Sequence, residues 1–332
     1  MEQKYTIRDI ARISGFSFKT VSRVINEDKN VKPSTRDKIR QVIADTNFKP
    51  NIYARNLNQK TNKNILVSIR KTHGQNTTQW FDYLMSFMIR EANAKGYTIL
   101  QEVIYGDFDL GSSMLEKSGG YIDVLVLFYL QENDKRIELA QKSRIPFVSF
   151  EKNPLAPLSI SNNNRSGMRE AAEFLFGREL TSICLLLGAE IDVNVERADA
   201  IQEVYVRSGV PLDRLEIVYG MNNLETIRRF VDGRIEQGNL PQVFFVSGDE
   251  KAIAVYSSLH THGLSIPRDV SVIGFDNIPI SQYYCPPLTT MGQDFERLAC
   301  EMFAVIGKLI DGDKDVASVQ VEPRLIVRDS VR

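Results

Sequence analysis

The chain has 332 residues, of which 43% are hydrophobic and 25% are charged, and its formal net charge is −1. This length allows a small head and about two domains with cores of their own. No apolar run approaches the ~20 residues of a membrane span, and the polar N-terminus lacks a signal-peptide pattern, so we predict a cytoplasmic protein without a membrane partner. The three cysteines lack metal-ligand spacing and no nucleotide or nucleophile motif occurs, so we expect no cofactor, no metal and no catalytic residue.

Charge is distributed unevenly along the chain. Residues 1–63 contain 14 Lys and Arg against 6 Asp and Glu, a net charge of +8. The remaining residues contain 27 against 36, a net charge of −9. A basic segment of this kind is the electrostatic signature of a module that binds phosphates.

Residues 6–26, TIRDIARISGFSFKTVSRVIN, predict two short helices around a tight turn. Thr6 followed by Asp9 is an N-cap with an acid at the third helical position, and Gly15 permits the turn. Ser17 can cap the second helix. The apolar spacing predicts buried positions at Ile7, Ile10, Ala11, Ile13, Val21, Val24 and Ile25. A third helix is expected from Pro33 to about Asn47.

The outer face of the second helix carries side chains suited to a DNA groove. Lys19 and Ser22 can hydrogen-bond base edges, and Phe18 can pack on a thymine methyl group. Thr6 and Arg23 suit phosphates. The predicted DNA-binding residues of the head are Thr6, Ser17, Phe18, Lys19, Thr20, Ser22, Arg23 and Asn26. An amphipathic helix pair without a ligand is the alternative.

Residues 49–63 are polar and contain few apolar side chains. The first interpretation of this composition is a plain linker. The second interpretation is a short helix that starts at Pro50 and folds only on DNA. Ala54 and Leu57 would share one face of it, and Leu57 could unstack a minor-groove step. The predicted contacts of this segment are Asn51, Tyr53, Ala54, Arg55 and Leu57.

After residue 63, apolar runs typical of buried strands alternate with helical patterns, which indicates an α/β fold with helices on both faces of parallel sheets. About eleven strands are predicted, too many for one small sheet. A ligand is expected at the carboxyl ends of the strands, where Glu151, Asp249 and Asp276 lie. Trp80, the only tryptophan, could stack on a sugar ring, or it could simply pack in the core. Each acid could equally cap the following helix.

The segment TIRDIARISGFSFKTVSRVIN, followed by Pro-Asn-x-x-Ala-Arg-x-Leu from Pro50 to Leu57, resembles the lactose-repressor (LacI/GalR) family of bacterial transcription regulators. The resemblance implies a helix-turn-helix head at 1–48 and a hinge helix at 49–63. It implies a bilobed domain like periplasmic binding proteins at 64–332, with two parallel sheets and crossovers near residues 160, 290 and 320. A homodimer on a pseudo-palindromic operator is also implied, with Leu57 of each subunit at a central step.

Later segments extend this resemblance to the effector site. VERADAI contains Arg197, SVIGFDNIP contains Asp276, and CPPLTTMGQDF leads to Gln293 and Phe295. The full predicted effector-binding set is Trp80, Phe81, Glu151, Arg197, Asp249, Asp276, Gln293 and Phe295. The chain departs from the family pattern at Gly248, where Asn is common, and within Ser161–Gly167, where Asn replaces an acid. Its similarity to galactosidase-operon regulators favours a β-galactoside or a galactose-containing oligosaccharide.

We therefore predict a repressor of carbohydrate-utilisation genes that a small sugar releases from its operator. A solute-binding protein for sugar transport is an alternative, although the basic head and the missing signal peptide argue against it. A carbohydrate-active enzyme is a further alternative, with Asp249 and Asp276 as acid and base. Nothing else in the sequence assembles around that pair, so we expect no enzyme activity.

Overall fold

The structure is a computed structural model that describes residues 5–25, 28, 30–48, 63–71, 78–105, 113–117, 120–131 and 133–332. The chain divides into two compact units, Met1–Asn62 and Lys63–Arg332. We call them the head and the body. Six predicted DNA contacts lie outside the described residues, namely Asn26, Asn51, Tyr53, Ala54, Arg55 and Leu57.

The described part of the head contains three helices, α1 (Ile7–Ser14), α2 (Phe18–Ile25) and α3 (Pro33–Asp45). The predicted cap of α1 is confirmed, because the Thr6 backbone N–H donates to Asp9 Oδ2 at 2.9 Å and the Asp9 N–H donates to Thr6 Oγ1 at 3.3 Å. Gly15 ends α1 with a φ of +74°. The small core consists of Ile10, Val21, Val24, Val31 and Ile39.

The prediction that Ile13 is buried was wrong, since this side chain is 47% exposed. Successive residues of an α-helix are about 100° apart around the axis. Ile7 and Ala11 therefore lie on one side of the buried Ile10, and Ile13 lies on the other. Ile7 and Ala11 pack against the core, so the covered side of α1 is theirs.

The described part of the body contains eight further helices and twelve strands. The helices are α4 (Gln79–Lys95), α5 (Met114–Lys117), α6 (Lys135–Lys142), α7 (Asn164–Phe176), α8 (Asp192–Ser208), α9 (Leu224–Glu236), α10 (Asp249–Thr261) and α11 (Phe295–Asp311). The strands are β1 (Asn64–Lys71), β2 (Thr98–Tyr105), β3 (Val124–Phe128), β4 (Phe147–Phe150), β5 (Ser159–Asn162), β6 (Ile183–Leu186), β7 (Leu215–Val218), β8 (Val243–Val246), β9 (Ser271–Asp276), β10 (Thr289–Gly292), β11 (Val319–Val321) and β12 (Arg324–Ile326). Short 3-10 helices span Leu212–Arg214 and Pro279–Tyr283.

Two six-stranded sheets form the centres of two lobes. The sheet of lobe 1 has the order β11-β5-β4-β3-β1-β2, and its strands are parallel. The sheet of lobe 2 has the order β12-β10-β9-β8-β6-β7, and only β12 is antiparallel. The chain passes between the lobes after β5, after β10 and after β11, which confirms the bilobed fold and the crossovers expected near residues 160, 290 and 320.

The two lobes repeat one winding pattern. In lobe 1, α4 and α11 pack on one face of the sheet, and α5 and α6 pack on the other. In lobe 2, α7 and α8 cover one face, and α9 and α10 cover the other. Each sheet therefore has a point where the winding reverses, between β1 and β3 and between β6 and β8. Ligands bind open α/β sheets at the carboxyl edge of such points.

Candidate functional site

A cavity of about 190 Å³ lies between the lobes, at the carboxyl ends of both sheets. Lobe 1 contributes an aromatic wall of Trp80, Phe128, Tyr129 and Phe150. Lobe 2 contributes mostly polar side chains, among them Asn194, Arg197, Asn222, Lys251 and Asp276. Small-molecule sites combine apolar walls with a few placed polar groups in this way.

The cavity edge is built from backbone conformations that most residues avoid. Tyr129 after β3, Glu151 after β4 and Asp276 at the end of β9 have φ angles of +54°, +68° and +122°. Gly248 after β8 has a φ of +130°. All four line the cavity. Strained backbone of this kind is concentrated at binding and active sites, because the surrounding structure maintains it.

Arg197, on α8, is buried and held by three partners. Its Nε donates to Asn164 Oδ1 at 2.8 Å, and its Nη1 donates to Ser247 Oγ at 2.6 Å. The guanidinium carbon lies 3.8 Å from the ring centroid of Phe275. Nη2 makes no hydrogen bond within the described residues. The guanidinium is therefore fixed in place with one nitrogen left to donate to a ligand.

Asp276 presents an unpartnered acceptor to the cavity. Its Oδ1 accepts a hydrogen bond from Gln293 Nε2 at 2.5 Å, whereas Oδ2 is buried and has no partner within the described residues. Burial and, after it, the neighbouring Glu250 raise the pKa of Asp276 to about 7, while Arg197 opposes both effects. A buried acceptor without a donor is costly, so a ligand hydroxyl that donates to Oδ2 would remove that cost.

Glu151 lies beside amides from the first crossover. Its two carboxylate oxygens accept hydrogen bonds from Asn162 Nδ2 at 3.4 Å and from Asn164 Nδ2 at 3.2 Å. Burial raises the pKa of Glu151 to about 7, and Arg197 acts in the opposite direction. The asparagines that replace an acid in this crossover thus act as donors to Glu151, which a carboxylate could not do.

Trp80 lies in the first turn of α4 and is half-buried in the cavity wall. Its ring stacks on Phe150, with centroids 5.6 Å apart and an interplanar angle of 25°. Tyr129 meets the Trp80 ring at an angle of 70°. Trp80 thus both packs against lobe 1 and lines the cavity, so the two interpretations of this residue are compatible.

Three predicted effector residues do not line the cavity. Phe81 and Phe295 belong to the core of lobe 1 and are 2% and 3% exposed. Asp249 is fully buried and accepts hydrogen bonds from Thr290 Oγ1 at 2.6 Å and from the Ile278 backbone N–H at 3.0 Å. Trp80 faces the cavity, so its helical neighbour Phe81 is turned about 100° away from it. The structure therefore does not bring these three side chains to the cavity.

The sequence reasoning missed several cavity residues. They include Asn194, Asn222, Glu250, Lys251, Tyr129 and Phe150. Glu250 and Lys251 directly follow the predicted Asp249, so the predicted segment reaches the cavity through the two residues after it. The Lys251 ammonium makes no ion pair within the described residues, and burial lowers its pKa. This half-buried cation, with no ion pair in the part of the chain that the structure describes, is a further donor for a ligand.

In the head, the described DNA-binding candidates are accessible. Thr6, Ser17, Phe18, Lys19 and Arg23 are exposed, and Phe18 is 52% exposed. Thr20 and Ser22 are half-buried. Ser17 Oγ accepts a hydrogen bond from the Thr20 N–H at 3.2 Å, as its predicted capping role requires. Arg23 forms an ion pair with Asp28 at 3.5 Å, which a phosphate would have to replace.

Fold and site define the class of this protein as a helix-turn-helix head joined to a two-lobed binding domain. Residues 6–51 match the bacterial regulatory proteins of the lacI family, and residues 172–331 match the periplasmic binding protein-like domain. The head is thus a DNA-binding domain of the lacI family, and the chain is a DNA-binding transcription regulator. Among the helices of the described residues, none has the length and apolar content needed to cross a membrane.

Similar proteins cover nearly the whole chain. The HTH-type transcriptional repressor PurR of Vibrio vulnificus is 28% identical over 98% of both chains. The HTH-type transcriptional regulator MalR of Clostridium butyricum is also 28% identical over 98% of both chains. These relatives are regulators, in agreement with the prediction that the chain is not an enzyme.

Solved structures share the fold. The lac repressor dimer bound to operator and the anti-inducer ONPF has a TM-score of 0.84 at 22% identity, covering 99% of each chain. The complex of the transcriptional regulator CelR with cellobiose has a TM-score of 0.70 at 20% identity, covering 98% of this chain and all of that one.

Proposed function

We propose that this protein is a repressor of carbohydrate-utilisation genes that binds its operator as a homodimer and is released by a small sugar. The observation that carries the proposal is the cavity, which offers donors and acceptors side by side. Arg197 Nη2 and Lys251 can donate, whereas Asp276 Oδ2 needs a donor. Sugar hydroxyls both donate and accept, so a sugar can satisfy this mixed set.

The aromatic wall supports the same ligand class. Trp80 and Phe150 present apolar ring surface opposite the polar side chains of lobe 2. A pyranose has apolar C–H groups on one face and hydroxyls around its edge, and so it fits between two such walls. A β-galactoside or a galactose-containing oligosaccharide is the specific effector that we propose.

Self-association is supported by exposed apolar side chains on adjacent elements of lobe 2. Ile253 on α10 is 47% exposed, and Ile280 and Tyr283 on the following 3-10 helix are 42% and 75% exposed. Exposed apolar clusters mark interaction surfaces. We propose that a second copy covers this surface, so that two heads meet the two half-sites of a pseudo-palindrome.

For the operator interface, we propose the residues predicted from the sequence, with residues 49–63 as a hinge and Leu57 as a wedge. Lys19→Ala should weaken specific binding more than non-specific binding, because Lys19 is assigned to a base edge. Leu57→Ala should lower both operator affinity and DNA bending. Fluorescence anisotropy with operator and scrambled duplexes at fixed salt measures the first effect, and gel-based bending assays measure the second. Equal losses on both duplexes would restrict Lys19 to phosphate contact.

A thermal-shift screen of about a hundred sugars, followed by operator release assays, tests the effector proposal. A galactoside is expected to raise the melting temperature and to release the operator. Asp276→Ala should retain operator binding and lose the sugar response. No response to any sugar, or a response retained in Asp276→Ala, would contradict the proposed site.

A further inference from the structure

Helix α4 carries Trp80 in its first turn, yet it lacks a cap of its own. The side chain of its N-cap residue, Thr78, makes no capping hydrogen bond. Helices α1, α6, α7, α9 and α11 are each capped by the side chain of their own N-cap residue. The first backbone N–H groups of α4 therefore require another acceptor.

Glu250 supplies that acceptor from the other lobe. The Gln79 backbone N–H donates a hydrogen bond to Glu250 Oε2 at 2.8 Å. Glu250 belongs to the first turn of α10 in lobe 2, whereas α4 belongs to lobe 1. A carboxylate at a helix N-terminus makes charge-assisted hydrogen bonds and also interacts favourably with the helix dipole.

We propose that Glu250 is a latch that caps α4 across the cleft and thereby fixes Trp80 in the cavity wall. Opening of the lobes would separate Glu250 from Gln79, so the cap exists only while the cleft is closed. The effect of this latch on retention of a ligand rests on the proposed sugar-binding function. Its effect on the position of Trp80 does not rest on that function, because it is a property of the protein alone.

Two other contacts between side chains of the two lobes are longer than this one. Asn153 Nδ2 lies 3.5 Å from Asp192 Oδ2, and Lys152 Nζ lies 3.9 Å from Glu196 Oε1. Both involve flexible side chains on each side and are weak for that reason. The Glu250 contact joins a side chain to the backbone of a long helix, so it constrains the position of that helix.

Trp80 is the only tryptophan of the chain, so its fluorescence reports on the cleft without a ligand. In the full-length protein, Glu250→Ala should shift the Trp80 emission to longer wavelength and increase its quenching by acrylamide. Amide exchange at Gln79 should become about tenfold faster, which corresponds to about 1.4 kcal/mol. Glu250→Gln keeps an acceptor oxygen without the charge and should give intermediate values.

Glu225→Ala is the matched control, because Glu225 lies in the first turn of α9 and pairs with Arg229 on the surface, at 3.2 Å. It should leave emission, quenching and exchange unchanged. Wild-type values in both Glu250 variants would overturn the latch. Faster exchange throughout lobe 1 in both variants would also overturn it, since this would indicate general destabilisation. A failed sugar screen would not alter these ligand-free results.

Discussion

Gly274 in β9 lies directly against Asp249, the first residue of α10, so that a Cβ on Gly274 would be 2.2 Å from Asp249 Oδ1. The same Cβ would be 2.8 Å from Leu288. Asp249 is buried and binds Thr290 Oγ1 and the Ile278 N–H. This carboxylate thus joins α10 to β10, which contains Thr290. It also supports the loop that begins at Asp276, which contains Ile278.

Gly274→Ala should therefore destabilise the protein by about 1–3 kcal/mol, the usual cost of overpacking a core. The comparison is Gly233→Ala in α9, where nothing lies within 4 Å of the new Cβ and alanine favours the helix. Denaturant midpoints of both variants measure the effect. Similar midpoints for the two would show that Asp249 can move away without cost.

Asp276→Asn should stabilise the ligand-free protein, and the gain should grow as pH rises. Burial and Glu250 raise the pKa of Asp276 from its ordinary 3.8 to about 7 in the folded protein. The folded state therefore binds the proton more tightly, and this carboxyl costs stability progressively as pH rises from about 4 to about 7. Asparagine removes the charge and keeps an acceptor for Gln293.

Melting temperatures of wild type and Asp276→Asn at pH 5 and pH 8 test this prediction. The gain in the free energy of unfolding that Asp276→Asn gives should be larger at pH 8 than at pH 5 by at least about 1 kcal/mol, because the unpartnered oxygen is then charged. The groups that face Asp276 are Glu250, Arg197, Lys251 and Asp249. A difference that does not depend on pH would mean that these neighbours compensate the charge.

Thr6→Ala should loosen the first turn of α1 and cost about 1 kcal/mol of helix stability, the usual value of an N-cap side chain. Asp9 loses a partner at the same time, and its pKa, which the Thr6 side chain lowers most, should rise toward its ordinary value. Thr6→Ser keeps the hydroxyl and should behave like wild type. Amide exchange at Asp9 and Ile10 in the full-length protein distinguishes the variants. Equal protection of these amides from exchange in all three proteins would show that the cap does not stabilise α1.

Asp134→Ala should destabilise lobe 1 strongly, by about 3–5 kcal/mol, because it leaves a buried cation without its counter-charge. Arg136 is fully buried and donates to both oxygens of Asp134. It also donates to the carbonyl oxygens of Ser68 and Phe128, which joins β1 to β3. The double variant Asp134→Ala with Arg136→Met should recover much of the loss. Thermal unfolding of the single and double variants measures the coupling, and additive losses would contradict it.

The local features of this protein are determined by its sequence. Thr6 and Asp9 form the predicted cap because their spacing of three residues is sufficient for it. The apolar runs form strands because they are short, β-branched and bounded by polar residues. Glu151 and Asp276 follow predicted strands, and both line the cavity at the carboxyl ends of the sheets, as expected.

The tertiary structure decided which of two adjacent side chains reaches the cavity. Asp249 and Glu250 are neighbours in one helix, as are Trp80 and Phe81, and in each pair only one lines the cavity. Helical neighbours point about 100° apart, so the choice depends on how the helix is rotated against its sheet. That rotation is set by packing between residues far apart in the chain, as the fit of Gly274 against Asp249 shows, and no local pattern encodes it.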